Sequence, residues 1–207
     1  MHNRSGSASN SSRALKRAFK ADEIPLTYTV PVLMRNERAK PLPADETHPV
    51  EVVLPSDLLH WMWHTHPGQF RDRILGSTAA PHNFWSQVKN HDSLWLHPGL
   101  SDRSILNLCI PWTVHGDGVP FRKQGAGSTS LQTISCGSML GTGGTADTHF
   151  LYCGIPGDVM VKAELTRGHV TTDPIWQTLV WDLKTCMAGR FADCDEKGWC
   201  GRIVIAF

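Results

Sequence analysis

Hydrophobic positions along the chain fall into a few short runs separated by polar, Gly- and Pro-rich stretches. Ile24–Met34 is apolar and β-branched but carries Pro25 and Pro31, which marks an edge strand or an extended arm. Asn36–Pro49 is charged and Pro-rich and reads as a linker, and Val50–Leu54 as a short extended segment. Ser56 is an N-cap candidate for a helix whose apolar face holds Leu58, Leu59, Met62 and Trp63. Pro67 interrupts that helix. A second short helix over Gly68–Leu75 should stop at Gly76, and Pro81 should open a third that includes Phe84, Trp85 and Val88.

The centre of the pattern is Leu106–Leu140. An apolar run, Leu106–Val114, leads into His115-Gly116-Asp117-Gly118, and a Gly-, Lys- and Arg-containing loop precedes a second run, Leu131–Leu140. The reading is strand, acidic turn, loop, strand, with Asp117 at the open end of the first strand. His149–Ile155 supplies a third apolar run. Asp173-Pro174 opens the clearest helix, with Ile175, Leu179, Leu183 and Met187 spaced by four, Trp176 and Val180 beside them, and Gly189 as its stop. Phe191–Gly201 is an acidic turn and Arg202–Phe207 a buried strand, a pattern expected of a domain that continues beyond it. The fold class is therefore α/β or α+β. A small mixed sheet lies within about residues 106–207, a Trp-rich helical segment comes before it, and a disordered tail comes first. The expected divisions are a basic tail over 1–22, an arm or linker over 23–49, a helical segment over 50–100 and a sheet-containing domain over 101–207.

Composition narrows this little. With 41% hydrophobic and 19% charged residues in 207, the chain has the make-up of a globular domain. Met1–Ser12, by contrast, is Ser, Asn and Gly with little to bury. A net charge of +1 provides no global basic field, so nucleic acid would have to meet local basic patches such as Arg13–Lys20 or Arg122-Lys123. No run approaches the ~20 apolar residues of a membrane span. The first residues hold no apolar signal core, which leads us to expect an intracellular protein, nuclear or cytoplasmic, with reduced thiols at its six Cys. Trp61, Trp63, Trp85 and Trp95 gather in the helical region and read as core.

Four groups bear on candidate chemistry. Asp117, flanked by two glycines, is placed to take a hard cation such as Mg²⁺, weakly, because one carboxylate leaves most of the coordination to water. The same Gly-Asp-Gly is also a common turn. Cys186, Cys194 and Cys200 with His169 match no standard zinc spacing, and reduced Cys is usually a small buried hydrophobe. Leu140–Thr145 is Gly-rich but lacks the Lys of a phosphate-cradling loop. His64-Thr65-His66-Pro67 resembles the HxHP zinc segment of JAMM-type deubiquitinating metalloproteases, which would imply a metal-dependent hydrolase using His64 and His66. The match departs where that family's downstream Ser and Asp should stand: Ser77 is too distant and Ala80 occupies the Asp position. Two imidazoles also fall short of a three-ligand catalytic zinc site.

A wider resemblance rests on three segments. They are Cys109-Ile110-Pro111 through Val119, Ser138-Met139-Leu140-Gly141-Thr142-Gly143, and the helix ending at Gly189 before Asp193–Gly198. Together they resemble multicopy proteins of dinoflagellate algae that look like remnants of mobile elements, over about residues 50–207. The order strand, Asp, strand, strand is similar to the first half of an RNase H-like, DDE-type transposase core, over 106–207. There the first catalytic Asp sits on the first strand, and only Asp117 matches it. The resemblance implies a transposable-element-derived protein with a partial core, inert alone. An interaction module for nucleic acid or protein is the alternative.

Overall fold

The computed structural model describes residues 27–36, 44–88, 90–91, 103–124, 127–161 and 170–188. Several expectations fall outside them: the tail and basic segment before residue 27, Trp95, His169, Gly189, Cys194, Cys200 and the strand at Arg202–Phe207. The architecture is α+β, with one two-stranded and one three-stranded antiparallel sheet and flanking helices. Among the described residues, no helix is long and apolar enough to cross a membrane.

Two compact units share the chain. The first comprises residues up to Leu58, Gly116–Ser135 and Leu151 onward; the second comprises Leu59–His115 and Cys136–Phe150.

In the first unit, β1 (Tyr28–Asn36) pairs antiparallel with β2 (Ala44–Val52). Within the linker expected over Asn36–Pro49, Asn36 and residues 44–49 are therefore strand. Its charges did not prevent pairing because the ribbon needs only one apolar face: Val30, Val32 and Val52 are buried, while Thr29, Pro31 and Glu51 are exposed. Pro31 stands opposite Pro49. Neither can donate, and a two-stranded ribbon tolerates this where N–H groups would point outward. Helix α1 (Pro55–Thr65) follows, its residues from Leu59 on belonging to the second unit, with Pro55 in the first-turn position that suits a residue lacking N–H.

In the second unit, α2 (Pro67–Phe70) runs into a π-helical turn at Arg71–Leu75, which ends at Gly76 with φ 65°. That is the helix expected to stop at Gly76. Helix α3 (Ala80–Val88) comes next. Trp85 is buried and its indole N–H donates to the Cys109 carbonyl at 2.9 Å. Trp63, by contrast, is 46% exposed, so the tryptophans do not form one core cluster. Of the stripe expected on α1, only Leu58 and Met62 are fully buried.

The larger sheet has the order β3 (Trp112–Gln124), β4 (Gly127–Ser138), β5 (His149–Pro156), a meander in chain order. The first strand begins later than its apolar run suggested: Arg103–Leu108 is a 3-10 turn, and Leu108 is exposed. A short helix, α4 (Thr145–Thr148), lies between β4 and β5.

The last described element is α5 (Asp173–Met187), in the first unit. It starts and ends close to where Asp173-Pro174 and Gly189 mark it. Its buried face is Ile175, Thr178, Leu179 and Asp182, whereas Trp176, Val180 and Met187 are exposed. The spacing-by-four stripe drifts off the core because 3.6 residues complete a turn. Thr171, just before α5, is fully buried and joins three segments: its hydroxyl donates to the Leu33 carbonyl at 2.5 Å and accepts the Val161 N–H at 2.9 Å.

Candidate functional site

Asp117 lies inside β3, as its sixth residue, and not at a turn. Among the described glycines only Gly76 and Gly143 adopt positive φ, and Gly116 and Gly118 are ordinary extended backbone of β3. Pairing with β4 has overridden the local turn preference of Gly-Asp-Gly. A Cβ on Gly118 would come within 2.9 Å of the Gln132 amide nitrogen, and one on Gly116 would meet the Trp176 ring at 3.8 Å. Packing does not demand glycine at either position, because the Gln132 side chain is flexible and 3.8 Å is an ordinary contact.

The Asp117 carboxylate is exposed and accepts the Gly118 N–H at 2.7 Å, while its backbone carbonyl accepts the Thr133 hydroxyl at 3.2 Å. No group of three or more His, Cys, Asp or Glu side chains able to hold a metal occurs among the described residues. A two-metal nuclease centre needs several convergent carboxylates. One exposed carboxylate already engaged by its neighbour's amide does not fit that requirement, and no catalytic step follows from it. Arg122 and Lys123 continue the same strand.

His64 and His66 diverge. His64 sits in the last turn of α1 and its ring faces His60, with centroids 4.5 Å apart. His66 precedes α2 and its ring meets Trp61 edge-on at 4.7 Å. The segment is a helix-to-helix junction, with none of the extended backbone that would let alternate imidazoles share an ion.

Cys109, Cys136, Cys153 and Cys186 are not in disulfides. Burial among apolar neighbours pushes the Cys153 thiol up to about 12, partly offset by its backbone contact at Ile134, and burial raises Cys109 as well. Neither is a ready nucleophile, since the thiolate is the reactive form.

Ser138–Gly143, one of the segments that carried the resemblance, has a structural role in the second unit. The π-turn leaves its last carbonyls without partners inside the turn. Ser138 donates to the Ile74 carbonyl at 2.6 Å and accepts the Leu140 N–H at 3.1 Å. Thr142 donates to the Asp72 carbonyl through both its N–H, at 2.8 Å, and its hydroxyl, at 3.1 Å. A Cβ on Gly141 would lie 2.2 Å from the Arg73 carbonyl oxygen, so glycine is what permits this approach.

The buried polar pair that sequence reading missed is Ser56 with Asp182, both in the first unit. Ser56 was expected to cap α1 by accepting a backbone N–H. Instead both its N–H and its hydroxyl donate to the Asp182 carboxylate. The signal was present: Asp182 stands at i+7 from Ile175 and i+3 from Leu179, on the apolar face.

No protein-family model, curated protein or solved structure matches the chain.

Proposed function

We propose that the chain is a non-catalytic binding module, derived from a transposable element and built on the first half of an RNase H-like core, that engages nucleic acid through local basic segments. The observation that carries this reading is the three-stranded meander β3-β4-β5, whose first strand bears Asp117 and whose last is followed in the chain by α5. That order agrees with the resemblance to transposase cores. The isolated state of Asp117 among the described residues favours binding over cleavage. Arg122 and Lys123 on the same strand, and the sequence Arg13–Lys20, are the cations available to meet phosphates.

The test is paired. A DNA-binding titration across salt concentrations should show affinity falling steeply with ionic strength, as release of counterions from a few phosphate contacts requires. It should weaken in Arg122→Ala/Lys123→Ala. A Mg²⁺- or Mn²⁺-dependent cleavage assay beside Asp117→Asn should show no activity in either protein. Cleavage abolished by Asp117→Asn would refute the non-catalytic reading, and absence of salt-sensitive binding would refute the nucleic-acid partner.

A further inference from the structure

We propose that His60 and His64, one turn apart on α1, form a two-imidazole site for a divalent transition-metal ion of the nickel–copper–zinc group. Residues at i and i+4 stand one above the other on a helix face. Here the two rings are 4.5 Å apart between centroids and inclined at 50°. An ion bound at about 2.1 Å from each of two imidazole nitrogens needs rings that are close, on one side and not coplanar-stacked, and this pair meets all three conditions. Imidazole is the ligand type that suits nickel, copper and zinc, and a helix presents the pair without ordering a loop. The pair lies within a single compact unit. His64 is exposed, so the rest of the coordination shell is open to water or to a ligand from a partner.

His66 is not part of the site, because its ring faces Trp61. The site is distinct from the His64/His66 combination that the HxHP motif suggested, and with two protein ligands it binds an ion without being a catalytic zinc centre.

The measurement is a Ni²⁺ titration of the full chain by calorimetry, with His64→Ala, His60→Gln and, as a control for the other histidines, His82→Ala. Uptake of one ion with an affinity at least tenfold weaker in His64→Ala and His60→Gln, and unchanged in His82→Ala, is the expected result. A Ni²⁺-dependent rise in melting temperature, lost in His64→Ala, gives a second readout even where a variant is itself less stable. Unchanged affinity in His64→Ala, or no saturable uptake by the unmodified protein, overturns the proposal.

Discussion

Asp182 accepts two hydrogen bonds from one residue: the Ser56 N–H at 2.9 Å and the Ser56 hydroxyl at 2.5 Å, across 126 positions of sequence. The N–H is one of the donors that the first turn of α1 cannot satisfy internally. The Asp182 carboxyl group therefore caps α1 from α5. Both residues are almost wholly buried.

Removing either partner should accordingly cost unequal amounts. Asp182→Ala leaves two buried donors unpaired and opens a small cavity, an expected loss of about 3 kcal/mol or more. Ser56→Ala keeps the backbone bond and removes only the hydroxyl, for roughly 1–2 kcal/mol. Urea unfolding of the two single variants and the double variant measures this. A coupling near zero in the double-mutant cycle would show that the pair contributes nothing to stability.

How much of this was legible in the sequence depends on the kind of interaction. Elements with a local cause were readable: Gly76 ends its helix with positive φ, Asp173-Pro174 opens α5, and the apolar runs 131–140 and 149–155 locate β4 and β5. Asp117 was misplaced because a turn-favouring Gly-Asp-Gly is extended only once β4 lies beside it, and that pairing is not local. The Ser56–Asp182 pair was invisible for the same reason, although an acid on an apolar helix face is a sign that it has a buried partner. The divergence of His64 and His66 depends on where α1 ends, and boundaries are the weakest part of any pattern reading.

The close approach between the π-turn and the segment after β4 predicts intolerance at two glycines. A Cβ on Gly76 would sit 2.1 Å from the Leu140 carbonyl oxygen at a backbone φ of 65° that L-residues rarely adopt. Gly76→Ala and Gly141→Ala should each destabilise by roughly 2 kcal/mol or more, since a backbone clash opposes both and a strained φ adds to it at Gly76. Gly68→Ala is the control: nothing lies within 4 Å of its Cβ position. Thermal unfolding of the three variants checks this, and a Gly76→Ala protein melting with the unmodified one would contradict the packing described.

Thiol chemistry should separate the cysteines by environment. Cys136 and Cys153 are each about 1% exposed, and Cys153 is held up to about 12, so almost no thiolate exists there at neutral pH. In the native protein, iodoacetamide followed by peptide mass spectrometry should modify Cys186 before Cys136 and Cys153, which should stay unmodified until denaturant is added. Prompt labelling of Cys153 without denaturant would mean that its strand opens readily.

His60 predicts an acid-side loss of stability with a defined sign. Its folded value lies below the ordinary 6.5, chiefly because burial disfavours the imidazolium and secondarily because His64 stands beside it. In the window between the depressed folded value and 6.5, the unfolded chain binds more protons at this position than the folded chain does. Stability therefore rises with pH across that window, is fully present above 6.5, and declines as pH falls through it. Melting temperature followed from pH 8 down to pH 5 should decrease more gently in His60→Gln, which cannot take up a proton on unfolding. The His64→Ala protein should fall between the two, because it removes the lesser cause and keeps the burial. An unmodified protein and a His60→Gln variant with parallel pH profiles would show that this pair takes no part in the acid response.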